Sequence, residues 1–572
     1  MAYIEKIKKK KTTFYYLTQT VRVKNKFKKI RKFLGKGKIS QKKLKELAKT
    51  VEKSLERKIN EVKKMKKNEK NNSSNKKTNK KLSITTKKGD FTKIVSDVVV
   101  LPLFEEEKSN PFVNNLPKKL KTEVSGLIKN KIVKGEFGET RLINTLGNIS
   151  PKNILLVGLG KEKELNLEFL RRASAIVLKT VKCYNLKSIV TLLGQCSKKL
   201  NSNDVAQAIT EGTLLADYKF DNFKSKKDDK KVDRFVILTE KDVSSSISSA
   251  IEKGTIIAEA TKYTRELVNL PAAIVTPTYL GNEALKLKDS RISVKVYGKS
   301  EIKRMKMGCL LAVSSGSAEE PRFIVMNYKG GGKKKIAFVG KGLTFDAGGL
   351  NLKPTRYIEE MKQDMGGAGS VLGIMKAVKK LKPKINILAV IPSCENLVGG
   401  KAYKPGDVLT SYNKKTVEVT NTDAEGRLIL ADALGFTEKQ KPNIIIDMAT
   451  LTGAVAVALG PHATGLLSKD QALVKKLIKA GETSGDRVWE LPMWEDYKSL
   501  VKSDIADVAN SGKGHYAGAT EGGIFLSNFV EKVSWAHLDI GGTAWTNEPK
   551  FYFSKGATGA GVRLLLKFLD EE

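Results

Sequence analysis

Apolar residues recur along this chain with two periods, and their alternation sets its organisation. Short β-branched runs at Val95 to Leu101, Asn153 to Gly158, Ser188 to Leu193 and Arg234 to Leu238 read as buried strands. Between them, Leu165 to Tyr184 and Asp204 to Ala216 carry apolar residues at helical spacing. Strands alternating with helices predict an α/β domain with a largely parallel sheet over residues 82–245. Ser245 to Leu270 reads as one long helix stopped by Pro271, the centre of a linker over 246–274. From Thr276 the alternation resumes, with a helix at Leu280 to Leu287 and strands at Ile292 to Tyr297, Arg322 to Asn327 and Lys335 to Val339. The expected fold class is α/β. A smaller N-terminal α/β domain is joined by a long helix to a larger C-terminal α/β domain, 275–572, with a mixed, largely parallel sheet.

The first 81 residues follow another pattern. Thr12 to Val21 is rich in β-formers, Val23 to Lys26 suits a turn, and Phe27 to Leu34 reads as a second strand. Together residues 2–35 predict a small β-meander. Ser40 to Met65 reads as a helix, with Leu44, Leu47, Ala48, Val51, Leu55, Ile59 and Val62 at helical spacing. Residues 66–81 are almost wholly Asn, Ser and Lys and read as a flexible linker. Charge sharpens this picture. Residues 1–80 hold 29 Lys and Arg against 6 Asp and Glu, a net +23 of the chain's +43. Basic residues beside Phe14, Tyr15 and Tyr16 suit contact with nucleic acid or another polyanion through residues 1–81. A solubilising appendage explains the same charge.

Composition excludes several classes. The four cysteines, Cys183, Cys196, Cys309 and Cys394, lie far apart, so neither a disulfide framework nor a thiolate zinc site is expected. No apolar run reaches membrane-spanning length, and no membrane association is expected. The N-terminus lacks the apolar core of a secretion signal. Lysine outnumbers arginine there, and Glu5, Glu46 and Glu52 intervene, which speaks against a mitochondrial presequence. A reducing, cytoplasmic location is expected. Gly158-Leu159-Gly160 follows a strand, but Lys163 stands where a dinucleotide fingerprint needs its third glycine.

Candidate chemistry concentrates in three later stretches. Ile336 to Val339 runs into a glycine-rich loop from Gly340 to Pro354 that contains Lys341, Asp346 and Lys353. No Gly-Lys-Ser/Thr closes it, which excludes a Walker phosphate loop. Asp364 follows, ahead of Met365-Gly366-Gly367-Ala368-Gly369-Ser370, with a helix expected after these glycines through Ala377. The third stretch is Asn421-Thr422-Asp423-Ala424-Glu425-Gly426-Arg427-Leu428, between a strand at Val417 to Val419 and a helix beginning at Ile429. Read as extended, it sets Asp423, Glu425 and Arg427 on one face. For that triplet alone, a solvated hairpin tip with an ion pair is the plain alternative.

The three stretches together change the balance. Four carboxylates cannot share one cleft uncompensated, because like charges raise one another's pKa. Two divalent cations would balance them. The chain has only three histidines, so a site here is oxygen-rich and suits Mn²⁺, Mg²⁺ or Zn²⁺.

These residues resemble the cytosolic leucyl aminopeptidases, a family of two-metal peptidases. All eight positions of Asn421 to Leu428 match its hallmark octapeptide, and Val339 to Pro354 and Asp364 match upstream segments. The resemblance spans residues 90 to 570, is strongest from 335 to 460, and leaves out residues 1–80. It implies that Asp346 and Glu425 bridge two divalent metals, Mn²⁺ or Zn²⁺, with Lys341 and Asp364 completing the tighter site and Asp423 the more exchangeable one. A ligating lysine must be neutral, which adjacent dications favour. Lys353 would stabilise the oxyanion of a tetrahedral intermediate. Arg427 would hold a bicarbonate ion that shuttles protons. Met361, Thr450, Leu451 and Gly453 would line the pocket for the substrate's N-terminal side chain.

The resemblance further implies peptide substrates, broad specificity around leucine, a role in intracellular peptide turnover, and a homohexamer. Glu521-Gly522-Gly523 and His537 to Gly542 also resemble family segments near the active site. Asp432 and His537 are expected to satisfy local hydrogen bonds rather than bind metal, and Glu359 and Glu360 to face solvent. The alternative reading is a DNA- or RNA-binding protein that uses the basic extension, with the peptidase fold secondary. The complete ligand set argues against it.

Overall fold

The structure is a computed structural model that describes residues 2–9, 12–23, 26–36, 40, 43 and 81–572, less 106, 108, 240–244, 513 and 515. The chain divides into two compact units, Met1–Lys81 and Leu82–Glu572. In the first, β1 (Ala2–Lys9), β2 (Thr12–Val23) and β3 (Lys26–Lys36) form an antiparallel sheet in that order. Apart from Ser40, Lys43 and Lys81, the expected helix at Ser40 to Met65 and linker at 66–81 lie outside the described residues.

The second unit begins with a six-stranded sheet. Its strands are β4 (Ser83–Lys88), β5 (Val98–Leu103), β6 (Thr140–Asn144), β7 (Asn153–Gly158), β8 (Ser188–Thr191) and β9 (Arg234–Thr239), in the order β4-β9-β8-β5-β7-β6. All neighbours are parallel except β6 with β7. Every residue of β5 is buried, as an uninterrupted apolar run in the middle of a parallel sheet requires. The helix Leu167–Cys183 covers one face of the sheet and Lys118–Lys129 the other.

The long helix Ser245–Asn269 leads into the second half. Thr264 Oγ1 donates to the carbonyl of Gly369 at 2.9 Å, and a Cβ on Gly373 would lie 2.2 Å from that hydroxyl. Small residues there let the long helix press directly on the helix Gly366–Leu381.

The strands that follow are β10 (Ile292–Tyr297), β11 (Arg322–Tyr328), β12 (Lys335–Gly340), β13 (Gly342–Asp346), β14 (Asn386–Asn396), β15 (Val408–Thr410), β16 (Thr416–Glu418), β17 (Ile444–Ala449), β18 (Thr464–Leu467), β19 (Val488–Glu490), β20 (Val508–Ala509) and β21 (Ser534–Asp539). The large sheet runs β10-β11-β14-β12-β17-β21-β18-β19, with β13 beside β14, while β15, β16 and β20 form a small separate sheet. Strands β14, β12, β17 and β21 are parallel, and antiparallel pairs flank them. The sheet is therefore mixed with a parallel centre. Parallel strands deliver their loops to one edge, the usual place for a site in such sheets. Loops after β12, β17 and β21 all start there.

Two local expectations are corrected. The octapeptide is not extended, because the helix Glu425–Lys439 begins inside it. Glu425 enters the first turn, where a carboxylate meets the positive end of the helix dipole. Residues two apart on a helix do not share a face, so Glu425 and Arg427 point different ways. Gly366 to Gly369 are not a loop ahead of a helix but its first turn. The missing side chain at Gly367 serves close packing: a Cβ there would lie 2.1 Å from the Met448 carbonyl. Among the described residues, no helix is long and apolar enough to cross a membrane.

Candidate metal centre

Three loops bring the charged candidates together. Strand β12 ends at Gly340, and Lys341 follows with its N–H donating to the Met448 carbonyl at the end of β17. The Lys341 side chain is buried and points into a carboxylate cage. Its Nζ lies 2.7 Å from Asp364 Oδ1 and 3.0 Å from Glu425 Oε1, and donates to the Thr450 carbonyl at 2.8 Å. Lys353 Nζ sits 2.8 Å from Asp346 Oδ2 and 2.5 Å from Asp423 Oδ1. Asp346, Asp364 and Glu425 are buried, and each brings an oxygen within 4.8 Å of the others.

The loops are laced to one another. Gly348 and Gly349 take φ of +87° and +65°, turning the chain back after Asp346. Thr422 Oγ1 then donates to the Gly348 carbonyl at 2.7 Å and accepts from the Asn351 N–H at 2.8 Å. Asn396, at the end of β14, donates from Nδ2 to Asp346 Oδ1 and to the Thr422 carbonyl. The Tyr403 hydroxyl donates to the same carbonyl. These bonds fix Asp423 and Glu425 opposite Asp346.

Electrostatics marks the cage as unfinished by protein groups alone. Four carboxylates outnumber the two ammonium groups by two charges. Burial, with Glu425 and Asp346 adding to it, pushes the Asp364 carboxyl up to about 8 against the pull of Lys341. Burial and Asp346 push Asp423 up to about 7. Glu425 is raised by the same two causes. For Lys341, burial opposes the charge, but Asp364, Glu425 and Asp346 outweigh it and hold the amine protonated above the ordinary lysine range. Lys353 is likewise raised, against burial, mainly by Asp346 and Glu425. Asp364 Oδ2 and Glu425 Oε2 are buried with no hydrogen-bond partner among the described residues. Buried, unpartnered carboxylate oxygens in one cluster fit hard divalent cations.

Arg427 stands apart from the cage carboxylates. Its Nη1 donates to Glu521 Oε1 at 2.7 Å and to the Asn510 carbonyl at 2.6 Å. Thr450 is pinned in the cage, with its hydroxyl donating to Asp364 Oδ1 at 2.7 Å. Leu451 is half-buried, Gly453 is exposed at the start of the helix Gly453–Leu459, and Met361 is half-buried at the start of the turn Met361–Met365. Asp432 accepts from the Leu310 and Tyr412 N–H groups, and His537 Nδ1 pairs with Asp447 Oδ1 at 2.6 Å, so both serve local bonds as expected. Sequence reasoning missed Asn396 and Asn510. The one usable signal was a lone Asn closing the apolar run of β14.

Comparison with known proteins agrees with this geometry. Residues 262–566 match the catalytic domain of the cytosol aminopeptidase family, and residues 100–227 match its N-terminal domain. A probable cytosol aminopeptidase of Roseiflexus castenholzii is 41% identical over 497 residues, covering 86% of this chain and 99% of that protein. A solved tomato leucine aminopeptidase variant superposes with a TM-score of 0.77 at 33% identity, covering 87% of this chain and 98% of its own. The bottromycin maturation enzyme BotP, solved in complex with Mn, gives a TM-score of 0.74 at 28% identity, covering 83% of this chain and 99% of its own. The chain belongs to the cytosol aminopeptidase family and is a metal-dependent aminopeptidase.

Proposed function

We propose that Lys341, Asp346, Asp364, Asp423 and Glu425 hold two divalent cations, manganese or zinc, and that this cage removes N-terminal residues from peptides. One observation carries the reading: three separate segments deliver these five side chains to one cluster, buried except for the partly exposed Asp423, with carboxylate oxygens left unpartnered. Divalent cations held there supply Lewis acidity, which polarises a peptide carbonyl and makes water a better nucleophile. Asp364 receives the free α-amine of the substrate, which restricts cleavage to the N-terminal residue. Lys353 keeps its proton and turns its ammonium towards the developing oxyanion. Arg427, engaged on Nη1 by Glu521 and Asn510, offers the rest of its planar fork to a bicarbonate ion, which supplies proton transfer. Met361, Thr450, Leu451 and Gly453 line the side-chain pocket, whose apolar character favours leucine without excluding its neighbours.

The test is direct. Asp346→Ala and Glu425→Ala are expected to abolish release of leucine from a leucyl anilide and to lose calorimetric Mn²⁺ binding, while the thermal transition persists. Full activity in either variant defeats the assignment. The finer setting is our inference from the same likeness: a cytoplasmic homohexamer engaged in peptide turnover, with sedimentation velocity as the check on assembly. The basic composition of residues 1–81 supports contact with nucleic acid or another polyanion. A gel shift at rising salt, comparing the full chain with residues 82–572, tests it, and equal retardation of both removes the idea.

A further inference from the structure

The loop after β17 carries Thr450, Leu451 and Thr452, and one buried carboxylate outside the cage sets its shape. Asp539 ends β21 beside Ala449 and is fully buried. Its Oδ1 accepts from the N–H groups of Leu451 (3.1 Å), Thr452 (3.4 Å) and Gly541 (3.0 Å). Its Oδ2 accepts from Thr452 Oγ1 at 2.7 Å, and that hydroxyl in turn caps the helix Gly453–Leu459 by accepting from Val455 N–H. The residue immediately before is Thr450, whose carbonyl takes the Lys341 amine and whose hydroxyl holds Asp364. Leu451 meanwhile packs so tightly on the helix Gly518–Ser527 that a Cβ on Gly522 would lie 2.9 Å from Leu451 Cδ2.

We infer that Asp539 is a positioning residue that couples two functions of this loop: retention of the metal at Lys341 and Asp364, and discrimination among N-terminal side chains at Leu451. The inference rests on the cage reading above. Without the carboxylate, three N–H groups lose their acceptor, and the loop must rotate to satisfy them. Thr450 and Leu451 move with it. An asparagine keeps an acceptor at Oδ1 and so keeps the loop.

The experiment compares Asp539→Ala, Asp539→Asn and Thr452→Val with the unaltered enzyme. Asp486→Asn, a buried carboxylate elsewhere that accepts from Gly561 N–H, controls for loss of fold. Calorimetric Mn²⁺ binding to metal-stripped protein and kcat/KM for leucyl and alanyl anilides are read on each, scaled to the folded fraction. Asp539→Ala is expected to weaken Mn²⁺ binding severalfold, less than losing a direct partner of a metal ligand costs, because Asp539 acts on Lys341 and Asp364 only through Thr450. It is also expected to shrink the leucine-over-alanine ratio severalfold, whereas Asp539→Asn restores both and Asp486→Asn leaves the ratio unchanged. If Asp539→Ala does not fold, Thr452→Val carries the test, because it deletes only the hydroxyl's two bonds, to Asp539 Oδ2 and from Val455 N–H, and must still shift the ratio. An unchanged ratio with unchanged Mn²⁺ binding in a folded variant overturns the inference. If Asp346→Ala keeps Mn²⁺ binding as well, the cage reading itself has failed.

Discussion

Glu521 holds Arg427: its Oε1 accepts from the guanidinium Nη1 at 2.7 Å, with both side chains buried. The Asn510 carbonyl takes the same nitrogen, so one end of the fork is anchored and its direction is fixed. A buried acid this close also cancels much of the positive charge that an anion would feel. Glu521→Gln keeps a hydrogen-bond acceptor and removes the charge. If Arg427 holds bicarbonate, this variant is expected to reach half-maximal activation at a severalfold lower bicarbonate concentration. Arg427→Ala is expected to lose the activation altogether. Initial rates over a bicarbonate series, in solutions stripped of carbon dioxide, read both.

Gly426 separates stability from activity. It lies in the first turn of the helix Glu425–Lys439, and a Cβ there would meet Lys341 Cε at 2.5 Å and Nζ at 2.6 Å. The tip of a lysine can swing away, so the fold survives. Alanine is also the better helix former by about 0.5–1 kcal/mol. Gly426→Ala is therefore expected to leave the chain folded, with the helix gain offsetting part of the cost of displacing the buried Lys341 pairs. Its kcat/KM should nevertheless fall about 100-fold, the scale set by an ångström of misplacement in a catalytic group. Paired melting and rate measurements check both outcomes at once.

If the cage holds divalent cations as proposed, proton and metal compete for it. The carboxyls of Asp364 and Asp423 are pushed up to about 8 and about 7, chiefly by burial, so protons occupy them near neutrality when no cation does. Cation uptake must then release protons, and Mn²⁺ affinity should rise with pH from 6 to 8, about tenfold per unit for each proton displaced. Linkage gives a second sign. A carboxyl raised on folding contributes stability that is complete below its unfolded value, and loses it as pH rises through the folded one. The melting temperature of metal-stripped protein should therefore decline between pH 4 and 8, and Mn²⁺ should reverse the decline at the alkaline end. Calorimetry in buffers of different ionisation enthalpy counts the protons.

The periodic segments were legible because burial alone determines them. Asn153 to Gly158 and Ile292 to Tyr297 stand as strands at the bounds their apolar runs suggest. The long helix read to Leu270 ends at Asn269, ahead of Pro271. The octapeptide misled because alternating charges imitate a strand, whereas Glu425 is held by a helix turn and by contacts with Lys341 from another loop. Gly366, Gly367 and Gly369 misled for a related reason: they look like a loop, yet they open a helix, and Gly367 serves the approach of one backbone to another. Asn396 and Asn510 left little trace in the sequence, and Asp539 was visible only as part of the family-like segment His537 to Gly542, because each acts by hydrogen bonds to residues brought near only by the completed sheet. The cage was recognisable from residue types and family likeness, while the scaffold that aims it was not.

The smaller domain depends on a buried ion pair whose worth a variant series can expose. Arg171 Nε donates to Glu211 Oε2 at 2.7 Å between the helices Leu167–Cys183 and Ser202–Ala216, with both side chains almost fully buried. Gln207 donates to the other Glu211 oxygen at 2.8 Å. Glu168 Oε2 lies 3.7 Å from Arg171 Nη1 with no hydrogen-bond partner among the described residues, while Arg172 and Tyr552 engage its other oxygen. Glu211→Ala leaves the buried guanidinium only its longer contact with Glu168 and is expected to cost up to about 3–5 kcal/mol. Replacing both residues with apolar side chains of similar volume, Arg171→Met with Glu211→Leu, removes the orphan charge and is expected to recover most of that loss. The cage lies on the other sheet, so kcat per folded molecule should stay level across the series. Denaturant unfolding alongside leucyl anilide hydrolysis distinguishes this from a pair that matters to catalysis, in which case kcat would fall with the single change and stay low in the double.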